Sequence, residues 1–430
     1  MSRRGKNRSG TVDETFPYQV CINLDRRLER WGHMQQKFAQ HGIRSVRRFS
    51  ALDGEKMSLP ANWAHTAGAY GCLLSHLQVV SEARRLGIPQ LLIFEDDVAF
   101  DDQFVNRFAA SIGQLPADWD MLFFGALHRD EPVRISENIA RITQANSTFA
   151  CALRSTVFDA FIELNRKTED LLDSNSLLLQ KRFKCYCFMP HLAWVETDHS
   201  DAQQRLVDHW YLRESLVLYG PQVDRLLSET TIVFAHRNPG RSADVNANLR
   251  YLLSYYHHYF SPFLAMIVVE QGAEPTVDRA ALPANCKYML LPDAKAFDRE
   301  GCFQKGIAAA EPGRKRVILS DNDIYLEPLD IRANLRMCER YDYVTGFRRL
   351  FDLNHQDSTR LRGARWPEGI DFMKNGSRDN APDRVCMFVN REVTQASAER
   401  SASLFASLAQ ADRVFQSPNH ALRLHQGTDE

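Results

Sequence analysis

Apolar and polar positions along this chain repeat with two periods, one suited to buried strands and one to amphipathic helices. "YQVCINLD" (18–25) is an apolar, β-branched run that stops at Asn23 and Asp25, the pattern of a buried strand. In "RRLERWGHMQQKFAQHG" the residues Leu28, Trp31, Met34 and Phe38 recur at helical spacing. A short strand "VRRFSAL" follows, then a helix over "GAYGCLLSHLQVVSEARRLG" with Leu73, Leu77, Val80 and Leu86 as its stripe. "QLLIFEDD" and "DWDMLFFGA" read as buried strands, and "TFACALRSTVFDAFIELN" as a strand or turn leading into a helix. A second series begins at "TTIVFAHR" (230–237) and continues with the helix "SADVNANLRYLLSYYHHYF", for which Ser242 is the expected cap. It runs on through strands in "FLAMIVVEQ" and "CKYMLLP", the helix "REGCFQKGIAAAE" and the strand "RKRVILSDND".

Strands alternating with helices predict an α/β class, specifically two Rossmann-like, three-layer α/β/α domains in tandem. The expected divisions are a basic, disordered tail over 1–15, a first domain over 16–220 and a second over 221–430.

Each series contains an apolar strand that ends in acids: Glu95, Asp96 and Asp97 in the first, Asp321 and Asp323 in the second. Ligands of open α/β sheets gather beyond the carboxyl ends of the strands. Carboxylates crowded there oppose one another's ionisation, and a hard divalent cation, Mn2+ or Mg2+, relieves this. Two acids at i and i+2 can share one ion, which then bridges the oxygens of a diphosphate. A solvated turn rich in acids is the simpler reading of one such motif; two at corresponding places favour the metal.

Composition narrows the field. The chain has 430 residues, 44% hydrophobic and 25% charged, with a net charge of −1, which gives no basic field for nucleic acid. Nine scattered cysteines do not form a disulfide framework, and the close pair Cys185 and Cys187 lacks the second half of a zinc site. These thiols read as reduced, in a cytoplasmic setting, and "MSRRGKNRSGTVDET" lacks the apolar stretch of a signal peptide. No apolar run is long enough to span a membrane, although contact with a membrane's inner face is compatible with this. No "GxxxxGK" phosphate loop occurs, which argues against phosphoryl transfer.

Residues 18–201 resemble glycosyltransferase family 25, the lipopolysaccharide and collagen β-galactosyltransferase-like family. The likeness is carried, in the family's order, by "INLDRRLERW" (22–31), "GAYGCLLSHL" (68–77), "LLIFEDDV", "KTEDLLD" (167–173) and "MPHLAWVETDHSD" (189–201). The resemblance implies a GT-A nucleotide-sugar fold and inverting, metal-assisted transfer of a hexose (galactose or a related hexose or N-acetylhexosamine) from a UDP-sugar. Carried over by position, Asn23, Leu24 and Asp25 would lie by the nucleotide. Gly71, Ser75 and His76 would line the sugar-nucleotide pocket, and Glu95, Asp96 and Asp97 would hold the metal. Asp25 could instead cap a helix, Ser75 could bond within its own helix, and His76 could be a core residue. Inversion needs a general base near the acceptor hydroxyl, for which Asp170, Asp198 and Asp201 are candidates.

The second half resembles inverting GT-A enzymes of families 2 and 7 through "VVEQ", "GCFQKGIAAAE" and "VILSDNDIYLEP". The implied nucleotide contacts are Arg237 and Gln271, the metal ligands Asp321, Asp323 and His425, and the candidate bases Glu368, Asp371 and Asp412. The expected partners are a nucleotide sugar and a glycan or lipid-linked glycan acceptor, as in lipooligosaccharide or capsule synthesis. Two readings stay open: a bifunctional enzyme, or one active domain beside a degenerate nucleotide- or acceptor-binding module. Tyr251, Tyr255 and Tyr259 share one helix face, which suits internal packing, a sugar platform or a homodimer contact.

Overall fold

The computed structural model describes residues 10–203, 205–292, 296–363, 377–379, 384–392, 394, 403–408, 411, 413–418 and 420–426. The chain divides into two compact units, Met1–Val217 and Leu218–Glu430, each mixed α/β around its own sheet.

The labelled elements of the N-terminal unit are strands β1 (Gln19–Asn23), β2 (Val46–Ser50), β3 (Gln90–Glu95), β4 (Met121–Phe123), β5 (Val133–Arg134), β6 (Ile139–Ile142), β7 (Ala150–Arg154) and β8 (Cys185–Phe188). Its main helices are α1 (Leu28–Gln40), α2 (Ala67–Arg85), α3 (Ser155–Asn165) and α4 (Leu172–Gln180). The sheet order is β2-β1-β3-β7-β4-β8-β6-β5. β2, β1 and β3 are parallel, and β7 is inserted antiparallel between β3 and β4.

β3 reads as one apolar run because both of its faces are covered. Leu91 and Ile93 join the cluster formed with α2 and α3 through Leu73, Val80, Phe158 and Ile162. Phe94, on the other face, meets Phe38, Phe100 and Phe124 at ring separations of 5.1, 5.8 and 6.1 Å. Burying each such side chain is worth about 1.5–3 kcal/mol, so the strand is held firmly up to its polar end.

The C-terminal unit builds a seven-stranded sheet from β9 (Thr230–His236), β10 (Ala265–Gln271), β11 (Cys286–Leu291), β12 (Arg316–Asp321), β13 (Tyr343–Thr345), β14 (Cys386–Asn390) and β15 (Val414–Gln416). Their order is β11-β10-β9-β12-β14-β13-β15, with β14 antiparallel to β12 and β13. Helices α5 (Ala243–Phe260) and α6 (Arg299–Ala309) belong to this unit, as does a four-stranded sheet that pairs Ile324–Tyr325 with His420–Arg423. Ser242 does occupy the position before α5, but its hydroxyl donates to the Gln426 carbonyl rather than capping the helix; Asn238 Oδ1 takes the Ser242 N–H instead. The tyrosine face of α5 turns inward. The Tyr255 and Tyr325 hydroxyls lie 2.8 Å apart and both residues are buried.

Candidate functional site

β3 delivers its acids into an open cleft of about 610 Å³, walled by the ends of β1 and β2, the start of α2 and the loop around residues 200–202. Two glycines let these walls close. A Cβ on Gly71 would lie 2.4 Å from the Leu52 carbonyl oxygen, and one on Gly54 only 1.7 Å from the Ala67 carbonyl oxygen. Ser75 fixes the same contact: its hydroxyl donates to the Gly71 carbonyl at 2.7 Å and accepts from the Leu52 N–H at 2.8 Å. Both the helical back-bond and a cleft-shaping role are therefore present in one side chain.

The three acids have different surroundings. Both oxygens of Asp96 are committed, one to Arg30 Nη1 at 3.1 Å and the other to Asn23 Nδ2 at 2.6 Å. Asn23, fully buried, also accepts from Arg48 Nε at 2.7 Å, so it works as a bracket for Asp96 at the end of β1. Arg30 in turn reaches Asp198 at 2.7 Å. It is the cation that the local sequence around residues 91–100 does not supply. Asp97 has a buried oxygen with no hydrogen-bond partner, and burial together with Asp96 raises its carboxyl to about 6 despite Arg30. Glu95 is raised well above the usual range by burial and by Asp97, Asp173 and Asp96.

His76 faces Glu95 with Nε2 3.6 Å from Oε1, while Nδ1 lies 3.0 Å from the Cys72 carbonyl. Burial pushes the imidazole down to about 4, so it is neutral at pH 7 and its Nε2 has no hydrogen-bond partner. Cys72, His76 and Glu95 place their ligand atoms within 4.8 Å of one another. Asp173, at the start of α4, also belongs to the cluster: the Thr148 hydroxyl lies 3.5 Å from both Glu95 Oε1 and Asp173 Oδ1. Burial raises the Asp173 carboxyl. Sequence reasoning singled out Asp170 in the same segment and passed over Asp173. The signal was the position of Asp173 in the first turn of α4, whereas Asp170 precedes the helix.

The remaining first-unit candidates spread out. Leu24 lines the cleft. Asp25 is largely exposed and makes no helix cap; it accepts from Arg48 Nη2 and Ser50 Oγ, bonds that hold its carboxyl below the usual range. Asp201 lines the cleft and is clamped by Arg26 at 2.8 Å and Arg27 at 3.0 Å. Burial pushes the Asp198 carboxyl up, but hydrogen bonds from the His199 N–H and Arg30 outweigh it and leave the group lowered. Asp170 is half exposed and lies 3.4 Å from His65 Nε2.

In the C-terminal unit the acid-ended strand repeats this frame residue by residue. Glu95 pairs with Ile22 of β1 and donates its N–H to the Phe149 carbonyl; Asp321 pairs with Ala235 of β9 and donates to the Val385 carbonyl. The carbonyl of Asp97 accepts from the Glu196 N–H and that of Asp323 from the Leu424 N–H. Asn23 bonds Asp96 where His236 bonds Asn322, at 2.7 Å. The charge balance differs, however. Asp321 meets Arg299 at 3.1 Å, and Asp323 meets Arg423 at 3.1 Å and Arg384 at 3.5 Å. Burial still raises Asp321 to about 6, against the pull of Arg299.

His425 follows Leu424 in the frame but is held through its backbone, by Ser358 and Asn248, with its ring 5.7 Å from that of His355. Among the described residues it does not close into a three-ligand group with Asp321 and Asp323. Gln271 accepts from the Asp298 N–H, which ties β10 to the start of α6, and Arg237 is the residue immediately after β9. Glu368, Asp371 and Asp412 lie outside the described residues.

Comparison with known proteins bears on the first site. Residues 17–129 match the family model described as glycosyltransferase family 25 (LPS biosynthesis protein). A glycosyltransferase 25 family member from Drosophila pseudoobscura pseudoobscura is 31% identical over 134 residues, which are 27% of this chain and 21% of the relative. Procollagen galactosyltransferase 2 from Homo sapiens is 28% identical over 159 residues, 32% of this chain and 25% of the relative. The chain thus matches only about a fifth to a quarter of the length of these relatives. Glucosyl-3-phosphoglycerate synthase from Mycobacterium tuberculosis, solved with Mn2+, UDP and glucosyl-3-phosphoglycerate, aligns with 49% of this chain and 77% of its own at 12% identity. Its TM-score is 0.29. The likeness to glycosyltransferase family 25 rests on residues 17–129, the stretch that contains β1, α2 and the acidic triplet.

Proposed function

We propose that the N-terminal unit is a metal-assisted glycosyltransferase centre that takes a hexose from a UDP-sugar and passes it, with inversion, to a glycan acceptor. The observation that carries this is the buried, partnerless oxygen of Asp97 beside a raised Glu95, in a cleft that places one arginine, Arg30, against the acids. These residues fit a hard divalent cation. Glu95 and Asp97 would hold it, while Asp96, with both oxygens bonded, would orient the loop. Such an ion would counter the charge of the departing diphosphate.

The chain's own contributions surround it. Asn23 and Arg30 fix Asp96, Ser75 and Gly71 shape the wall, and neutral His76 faces the pocket without adding charge. Asp198 and Asp201 are already bound to arginines, which lowers their value as proton acceptors; Asp170 and Asp173 are the better candidates for the acceptor's base. The relatedness to a procollagen galactosyltransferase supports galactose as the first donor to try.

Of the two readings of the C-terminal unit, the arginines favour the second. Oδ1 of Asp323 is also buried without a hydrogen-bond partner, but Arg299, Arg384 and Arg423 supply the positive charge around Asp321 and Asp323, so that unit would bind nucleotide or acceptor without a metal of its own. The test is UDP release from UDP-galactose, UDP-glucose and their N-acetyl forms in the presence of manganese. Asp97→Ala should slow release by about 10²–10³-fold, the scale of losing one preorganised electrostatic contact, and Asp323→Ala should leave the rate of folded protein unchanged. Unchanged release in Asp97→Ala would sink the first assignment, and parallel losses in both variants would restore the bifunctional reading.

A further inference from the structure

Elsewhere in the N-terminal unit, a second cluster of ligand-type side chains takes no part in the acidic cleft. His128 ends the short strand Leu127–His128, Cys187 lies in β8, and His191 follows the Met189–Pro190 pair just beyond it. All three are buried, with exposures of 1%, 0% and 1%. Nε2 of His128 and Nε2 of His191 face each other at 3.1 Å, and one ligand atom from each of the three residues lies within 4.8 Å of the other two.

His191 is held from behind. Its ring Nδ1 donates to the Leu212 carbonyl at 2.8 Å, and its backbone N–H donates to Ser215 Oγ at 2.8 Å. The Nε2 lone pair is therefore aimed at His128. A backbone carbonyl on the outer ring nitrogen is the arrangement that orients metal-bound histidines. Gly125 permits the approach, since a Cβ there would lie 2.0 Å from the Ala193 carbonyl oxygen and 3.3 Å from His191 Cβ.

We propose that His128, Cys187 and His191 form a buried site for a thiophilic closed-shell cation, Zn2+ or Cu+, separate from the acidic cleft. The 3.1 Å gap between the two nitrogens would make two bonds of about 2.0–2.1 Å meet at roughly 100°, so a small opening of the pair would bring them to the tetrahedral angle. Imidazole and thiolate select zinc or cuprous ions, whereas the carboxylates of the cleft select magnesium or manganese. Burial holds the Cys187 thiol protonated, so binding would form the metal–sulfur bond and release that proton to solvent. With Cu+ the thiolate leaves the site neutral; with Zn2+ it keeps one net positive charge and a fourth position. The cation would pin the end of β8 to the strand at 127–128, acting as a staple rather than a reagent.

The test is elemental analysis of the purified full chain after gel filtration with a mild chelator. About one equivalent of zinc or copper per chain is expected in the wild type and equally in Asp97→Asn, with less than about a tenth in Cys187→Ser. Which element is found separates the two ions. Cobalt(II) added to stripped protein should give a sulfur-to-cobalt absorption band in the wild type and none in Cys187→Ser. Should that variant fail to fold, as judged by circular dichroism, His128→Gln serves as the second probe, with the same loss of metal. Wild-type protein that holds neither metal, and whose Tm is unmoved by one equivalent of Zn2+ or Cu+ under reducing conditions, would overturn the site and leave a hydrogen-bonded histidine pair. Equal metal content in wild type, Cys187→Ser and His128→Gln would overturn it too.

Discussion

β3 and β12 end in the same way yet resolve the same electrostatic problem by different means. Both strands are flanked by the first parallel strand of their unit and by an antiparallel neighbour, and both close the turn through the carbonyl of the last acid. Each turn keeps one buried carboxylate oxygen without a hydrogen-bond partner, on Asp97 and on Asp323, but at β3 a single guanidinium, that of Arg30, pairs with the acids. At β12 three guanidiniums, from Arg299, Arg384 and Arg423, surround two carboxylates. A shared backbone frame therefore does not imply a shared ligand. What the frame delivers is a pair of carboxylates, and the side chains arriving from distant segments decide whether a metal is called for.

The largest expected effect follows from the internal pairing at β12. Asp323→Ala removes a carboxylate, only 1% exposed, that two arginines share, and breaking such a buried pair costs about 3–5 kcal/mol. A two-step thermal or urea melt should show the C-terminal unit shifting down while the N-terminal unit stays in place. Manganese should rescue nothing. A melt unchanged by Asp323→Ala would mean that the arginines do not stabilise this turn, and the contrast between the units would weaken.

A smaller effect is expected at the bracket around Asp96. Asn23→Ala leaves Asp96 bonded only to Arg30, and loss of an orienting partner behind a metal ligand's neighbour should weaken manganese binding by about 10–100-fold. Titration of manganese by calorimetry reads this directly. His236→Ala, the matching change at β9, should leave manganese binding as it was, because Asn322 carries no charge.

The smallest effect is the pH dependence, and its sign is fixed by the raised carboxyl of Asp97. Its value of about 6, against an ordinary 3.8, means that the folded chain takes up a proton between those limits that the unfolded chain does not. The metal-free N-terminal unit should therefore gain stability as pH falls from 6 towards 4. Manganese competes with that proton, so the rise in Tm that it produces should shrink below pH 6 and flatten above it. Asp321 has the same raised value, yet with arginines as partners it should show no metal-linked dependence. A manganese effect that is independent of pH from 5 to 7 would remove Asp97 as a ligand.

Much of this arrangement was legible beforehand. The apolar runs at 19–23, 90–95, 230–236 and 316–321 are strands, because continuous apolar stretches of that length mark chains buried on both faces. The acid-ended turns were legible as well, since charge placed against a buried run is rare without a reason. Ser242 shows where local rules fail: its place before α5 follows from the sequence, but its hydroxyl is drawn to Gln426, 184 residues away. His76 shows the reverse. It lies on an apolar helix stripe as a core histidine would, and is buried like one, yet it faces Glu95.

By itself the sequence determined where the strands end and which of them end in carboxylates, because hydrophobic period and charge are local properties. Tertiary structure decided which cations reach those carboxylates. Arg30 meets Asp96 across 66 residues, while Arg423 meets Asp323 across 100 and Arg384 does so across 61. His128 and His191 likewise come within 3.1 Å from 63 residues apart, and Cys187 joins them from β8 while its neighbour Cys185 does not. Such meetings depend on how long side chains cross a folded sheet end, and no period or composition records that.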